Sequence, residues 1–224
     1  STYQQWTARR KGPAVHHHRG YPSGSTVGRG LIRSGMAMPD DHALAADLAT
    51  RAGVLLMEVR GRLAAGDTSS EALKREGDQR SHEFLMDALA RHRPQDAVLS
   101  EEGAAAAVHP DRAETSRVWI VDPVDGTREY GDPPRTDWAV HVALAEDGRP
   151  TAGAVALPAL DLTLSTMALP NPTDLPPIPD RPRVVVSRSR PPAEAMDVCD
   201  ALGGVVVELG SAGAKAMAVV RGEV

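Results

Sequence analysis

Cysteine is almost absent from this chain: Cys199 is the only one in 224 residues. That excludes a disulfide within the chain and a metal cage built on cysteines, and it suits a reducing compartment, so a cytoplasmic protein is expected. Long apolar runs are missing too. None approaches the ~20 residues a membrane helix needs, so no membrane partner is expected. Acidic residues are absent from positions 1–39, which carry six basic groups (Arg9, Arg10, Lys11, Arg19, Arg29 and Arg33). The remainder holds nineteen basic and thirty acidic groups. An acidic body of that kind argues against nucleic-acid binding and suits a site whose carboxylates meet cations. The chain has no internal repeat.

Residues 1–39 are rich in Gly, Arg, Ser and Pro without apolar periodicity. They cannot bury enough surface to offset chain entropy, and read as a disordered leader or tag, the His16-His17-His18 run included. From Asp40 an apolar stripe of Leu44, Leu48, Leu55, Val59 and Leu63 predicts a helix ending near Gly66. A second helix is expected over about Gln79–Arg91, with Asp78 as its N-cap. His42, His82, His92 and His109 read as surface residues without zinc-type spacing. Ala97-Val98-Leu99 is a short strand running into Ser100-Glu101-Glu102-Gly103, and Ala104 to Ala107 a turn. Arg117 to Val121 is the next strand. Asp137 to Leu144 alternates, with Trp138, Val140, Val142 and Leu144 on one face and Ala139, His141 and Ala143 on the other. Glu146-Asp147-Gly148 reads as a hairpin turn, and strands over 152–157 and 160–166 complete a meander. Six prolines over 168–182 mark a linker. Beyond it a strand–helix–strand–helix pattern fills 183–224. The expected organisation is a leader (1–39), an N-terminal α+β metal-binding domain (40–168), a Pro-rich linker (169–182) and a smaller C-terminal α/β domain (183–224).

The chemistry concentrates in Trp119-Ile120-Val121-Asp122-Pro123-Val124-Asp125-Gly126-Thr127-Arg128-Glu129-Tyr130. A buried strand runs into two carboxylates three positions apart, with Pro123 stiffening the segment between them. Gly126 lets backbone approach a ligand, and a helix start at Gly126-Thr127 offers N–H groups to a phosphate. A second acid pair, Glu101-Glu102, ends the preceding strand. Oxygen donors without His or Cys favour Mg²⁺ or Mn²⁺ over zinc. Two such ions activate a water and neutralise a leaving oxygen, so metal-assisted hydrolysis of a phosphomonoester is what these residues can perform. Lookalikes fail on spacing. An EF-hand needs acids at alternating positions, a phosphoaspartate hydrolase needs Asp-x-Asp, and Gly210 to Lys215 is not a P-loop.

At these residues the sequence resembles the inositol monophosphatase-like family of Mg²⁺-dependent, lithium-sensitive phosphatases. The Trp119–Tyr130 stretch matches the family signature, and Leu99-Ser100-Glu101-Glu102 its upstream acid pair. The resemblance covers roughly 40–224. Arg128-Glu129-Tyr130, Ser187-Arg188-Ser189 and Gly210-Ser211 through Lys215 are similar to the CysQ-type branch, which hydrolyses 3′-phosphoadenosine 5′-phosphate (PAP) to AMP and phosphate in sulfur assimilation. The resemblance implies an α+β protein with a layered αβαβα sandwich, the sugar-phosphatase fold. It implies two or three Mg²⁺ ions, with Mn²⁺ as a substitute. Their ligands would be Glu101, Asp122, Asp125 and the Val124 carbonyl, with Asp78 toward a second or third ion. Asp78 and Thr127 would position the nucleophilic water. Gly126, Thr127 and Arg128 would hold the phosphate end of a small phosphorylated metabolite. Trp138, Ser187, Arg188, Gly210, Ser211 and Lys215 would lie around its nucleotide or sugar. The family also forms homodimers. Its late Trp-Asp motif does not occur before Val224, so the C-terminal part reads as truncated. Two rival readings follow. One is an inositol-1-phosphatase or broad sugar phosphatase of the fructose 1,6-bisphosphatase kind, and the other a non-catalytic nucleotide-binding module.

Overall fold

A computed structural model describes residues 39–224, apart from 65, 67, 104–108 and 112–113. The expected leader over 1–39 and the turn at Ala104–Ala107 therefore fall outside the described residues, save for Pro39. Helix α1 spans Pro39–Ala64 and α2 spans Ser70–His92. On α1 the buried face is Leu44, Ala45, Leu48, Ala49, Ala52, Leu56 and Val59. Its period of three to four residues and its alanines let the helix lie close to a sheet. Helix α2 begins nine residues earlier than the sequence pattern indicated. Ser69 is its N-cap, accepting the Ala72 N–H at 3.3 Å. The helix runs through Gly77, normally a weakening residue, because the Tyr130 ring occupies the space a side chain would need: a Cβ there would lie 2.5 Å from Tyr130 Cε1. Asp78 consequently sits mid-helix rather than at a cap.

Five strands form one sheet in the order β1 (Ala97–Ser100), β2 (Arg117–Asp125), β3 (Ala139–Glu146), β4 (Arg149–Leu157), β5 (Leu162–Ser165). β1 runs parallel to β2, and the other pairs are antiparallel. Asp147 and Gly148, both at positive φ, make the two-residue β3–β4 hairpin. Trp119, Val121, Val140, Val142, Leu144, Ala152, Ala154 and Ala156 face α1 and α2 in one core. After a 3-10 turn at Pro172–Asp174, β6 (Arg183–Ser187) and β7 (Val205–Leu209) form a second, parallel sheet, with α4 (Ala193–Ala201) packed on it. Helix α5 (Ala212–Val220) touches β3, β4 and β6. Ala214 and Met217 meet Ala139, Val155, Leu157 and Leu162 on the sheet face opposite α1 and α2. The α+β layering expected from the sequence is the observed one. Among the described residues no helix is long and apolar enough to cross a membrane.

The end of the sheet remote from the acid-rich stretch is held by one cation. Arg117 donates to Asp41 on α1 at 3.1 Å, to both oxygens of Asp96 at 3.0 and 3.1 Å, and to Glu146 on β3 at 2.6 Å. All three acids are buried. Trp119 Nε1 adds a 2.9 Å bond to Asp96, and Arg93 a 2.7 Å bond to Asp41. Removing one partner from a buried ion network leaves charge without compensation, so Arg117→Leu is expected to cost about 3–5 kcal/mol in urea unfolding. The exposed pair Arg51–Asp47 is the control, with Asp47→Ala costing under about 0.5 kcal/mol. Equal effects would show that Arg117 is no clamp.

Candidate active site

The acid-rich stretch is built by a defect in a strand. β2 continues through Asp125 instead of ending at Val121. Asp122 pairs with His141 and Asp125 with Ala139, so three steps along β2 match two along β3. The extra residue is a bulge over Pro123-Val124, where Pro123 has no N–H to give the ladder. Side chains alternate faces along a strand, so residues three apart normally oppose one another. The bulge reverses that parity. Asp122, Asp125, Ala139 and His141 share the sheet face that receives α5, while Val121 and Val124 stay in the α1–α2 core. Gly126 then turns the chain at φ 89°, and Thr127–Tyr130 form a single helical turn, α3. A Cβ on Gly126 would stand 2.8 Å from the Ser211 Cβ. The Thr127 hydroxyl donates to the Val124 carbonyl at 3.2 Å. Ser81 on α2 donates to the Pro123 carbonyl at 2.9 Å, tying the bulge to the helix that carries Asp78.

The carboxylates differ sharply in their surroundings. Burial pushes the Asp122 carboxyl up to about 7, assisted by the charges of Glu101 and Asp125 and by a hydrogen bond with Glu101. Asp78 is likewise pushed up to about 7, by burial and then by Glu102 and Glu101. Burial would raise Asp125 too, but the His141 hydrogen bond and charge, with the Gly213 and Ala212 N–H groups, bring it below its ordinary value. His141 is raised in turn: burial opposes this, and its bond to Asp125 prevails. Glu101 and Glu102 lie in an exposed turn at the end of β1.

Comparison with known proteins decides what this arrangement belongs to. Residues 40–170 match the inositol monophosphatase family. The chain is 44% identical over 201 residues to the 3′-phosphoadenosine 5′-phosphate phosphatase of Mycobacterium leprae, an alignment covering 82% of this chain and 70% of that protein. It is 43% identical to the phosphatase of the same name in Mycobacterium bovis, over 77% of this chain and 65% of the relative. The chain belongs to the inositol monophosphatase family. The crystal structure of CysQ from Bacteroides thetaiotaomicron superposes with a TM-score of 0.65 at 22% identity, covering 82% of this chain and 77% of that one, which shows a shared fold.

Inositol monophosphatase family members depend on metal ions. The donors here fit a hard divalent cation: every candidate ligand is an oxygen, and two partly buried carboxyls are pushed up to about 7 by burial and then by neighbouring acids, a cost that a cation would relieve. Among the described residues no three acids or imidazoles form a ready-made cage. The fit therefore rests on donor chemistry and proximity.

The residues expected on the substrate side divide into two groups. Ser187 and Arg188 end β6, and Gly210, Ser211 and Lys215 start α5. Arg188 is paired with Glu129 and donates its N–H to the Leu209 carbonyl at 3.0 Å. A side chain on Gly210 would overlap Glu129. Ser211 caps α5, accepting the Ala214 N–H at 2.9 Å. Lys215 Nζ donates to the Gly210 and Ser211 carbonyls at 2.6 and 2.7 Å. Arg128 is exposed. Trp138 stands apart, fully buried behind Gly126 with its ring edge-on to Tyr130 and under Arg60.

Three residues escaped the sequence reading. Glu129, read only as part of the Arg128-Glu129-Tyr130 stretch, is a buried carboxylate paired with Arg188. Asp137, buried, accepts the Gly210 N–H at 2.6 Å and pairs with Arg135. His141 holds Asp125 at 2.8 Å. The alternation of β3 had put His141 on the correct face, but the bulge that brings Asp125 there has no signal beyond Pro123. His109 also differs from expectation: it is buried, with Nε2 3.3 Å from the Met86 carbonyl.

The raised carboxyls give the fold a pH signature. Folded Asp78 and Asp122 keep their protons to about pH 7, whereas unfolded aspartate loses its proton near 4. Their contribution is complete at low pH and is lost as pH rises through 7. His141, also raised, acts in the same direction. In EDTA, Tm is expected to fall from pH 5 to pH 8, with Asp122→Asn flattening the fall and Mg²⁺ raising Tm at pH 8. Scanning fluorimetry reads this, and a rising Tm across that range would contradict the crowding described.

Proposed function

We propose that the chain carries the cation- and phosphate-binding part of a Mg²⁺-dependent phosphomonoesterase that converts 3′-phosphoadenosine 5′-phosphate to AMP and phosphate. The observation carrying this reading is the grouping of Asp78, Glu101, Asp122 and Asp125 around a bulge that leads into Gly126-Thr127. Its substrate comes from the 44% identity to a phosphatase of that name. Glu101, Asp122, Asp125 and the Val124 carbonyl would hold the Mg²⁺ ions, two or three in number, with Asp78 toward one of them. When bound, the ions supply positive charge that acidifies a water and stabilises the leaving oxygen.

The chain's own groups orient and deprotonate. The Thr127 hydroxyl spends its hydrogen on the Val124 carbonyl, so toward a water it presents only lone pairs. It accepts one water hydrogen and aims the water oxygen outward. Asp78, on the helix that Ser81 ties to the bulge, would accept the other proton. Gly126 exposes backbone at the turn, and the amides of the first helical turn have no intrahelical carbonyl, leaving them for phosphate oxygens. Arg188 and Lys215, with Ser187, Gly210 and Ser211, form the more distant polar rim, where a second anionic group of the substrate would lie.

Phosphate release from PAP, inositol 1-phosphate and fructose 1,6-bisphosphate, with and without Mg²⁺, tests the proposal. The kcat/KM for PAP is expected to exceed the other two by at least about tenfold. Asp122→Asn should lower kcat by about 10²–10³ with the fold intact. No release from any of the three sinks the reading. A preference for inositol 1-phosphate reassigns the substrate, and tight nucleotide binding without hydrolysis identifies a binding module.

A further inference from the structure

Asp125 is a shared carboxylate, and its two oxygens are not equally used. Oδ2 accepts the Gly213 N–H at 2.5 Å and the His141 Nε2–H at 2.8 Å. Among the described residues Oδ1 accepts only the Ala212 N–H, at 3.2 Å. Each carboxylate oxygen has two lone-pair directions. Those of Oδ2 are both committed, and one on Oδ1 is open. The donors on Oδ2 come from two elements, β3 and the first turn of α5, so the carboxylate is braced from both sides.

The surrounding residues are shaped for the imidazole. Gly213 has no side chain, and a Cβ there would overlap His141 Nε2 and approach the Ala139 Cβ to 2.9 Å. Ala139, next to His141 on this face of β3, is small and fully buried. His141 lies opposite Asp122 in the ladder, and its ring reaches along the strand to the second acid. Without the bulge that acid would lie on the other face.

We infer that His141 is a positioning residue that commits Asp125 Oδ2 to the protein and reserves Oδ1 for a divalent cation. The inference rests on Asp125 being a ligand, as in the proposed function. Loss of the imidazole donor leaves Oδ2 held from the α5 side alone, by the Gly213 N–H, and opens one of its lone-pair directions, so the cation meets a ligand that is less firmly oriented. Groups that orient metal ligands from behind typically change affinity by about 10–100-fold.

The experiment uses the full chain and Mn²⁺ alone, with free Mn²⁺ measured by electron paramagnetic resonance, so no turnover is needed. His141→Phe keeps an aromatic ring and removes the donor, and is expected to raise the Mn²⁺ Kd about 10–100-fold. His141→Gln, whose amide N–H reaches toward the same point, should recover most of the affinity. Circular dichroism identifies any variant that fails to fold, and His141→Gln and His141→Asn stand in if the phenylalanine does not fit. Binding by the Phe variant as tight as wild type, while Asp125→Asn is weakened, overturns the inference and leaves the ligand reading intact. Wild-type affinity in Asp125→Asn overturns both. Equal weakening by Phe and Gln also overturns it, because a structural role for the ring alone would produce that result.

Discussion

The site depends on a parity change in one strand. Strand alternation places Asp122 and Asp125 on opposite faces, one toward the α1–α2 core and one toward α5. A carboxylate forced into that core would meet Trp119, Val140 and Val142 and carry a heavy desolvation cost. The single extra residue over Pro123-Val124 removes the conflict. Val124 enters the core in place of an acid, and both aspartates face the second sheet. Proline's missing N–H makes the break cheap at that position, because the ladder would otherwise lose a bond. Ser81 then takes up the Pro123 carbonyl that the bulge turns away from β3.

From that change the second half of the chain acquires its anchor. Asp125 accepts two amides from the first turn of α5, which sets a negative charge at the positive end of a helix dipole. Ser211 takes a third amide, and Gly210 gives its N–H to Asp137. Glu129, one turn beyond the bulge, reaches Arg188 at the end of β6. The acid-rich stretch therefore also joins the five-stranded sheet to the segment that carries the two-stranded one. Residues that read as separate substrate contacts in sequence, Arg188 and Gly210 among them, are joined by the same carboxylates.

Much of this was legible in the sequence because it rests on local rules. The Asp-Pro-Val-Asp-Gly-Thr order, the upstream Glu pair and the alternation of β3 all follow from short-range chemistry. What stayed hidden depends on partners distant in the chain. Helix α2 could not be traced back to Ser70 because Gly77 looks like a break until Tyr130 is seen against it. Asp78 thus read as a cap, although its distance from the helix start removes any capping role. His141 read as a residue on the β3 face opposite Trp138, Val140 and Val142, which it is, and only the bulge reveals what it faces. His109 looked like a surface residue, since nothing nearby in sequence announces its partner at Met86.

Electrostatics separates the acids by task. Asp125, braced by an imidazole and two amides, is brought below its ordinary value and so favours the ionised form. Asp122 accepts a single amide, the Val124 N–H at 3.2 Å, and burial and neighbouring carboxylates push both Asp122 and Asp78 up to about 7. An anion that is always formed suits permanent ligation or capping. A carboxyl poised near pH 7 suits a group that must take up and give back a proton, or that ionises only when positive charge arrives. The contrast arises from hydrogen-bond supply rather than residue type, since all three are aspartates within one corner of the fold. A change that adds a donor beside Asp78 would pull it toward the behaviour of Asp125 and so remove the basicity that a proton acceptor requires.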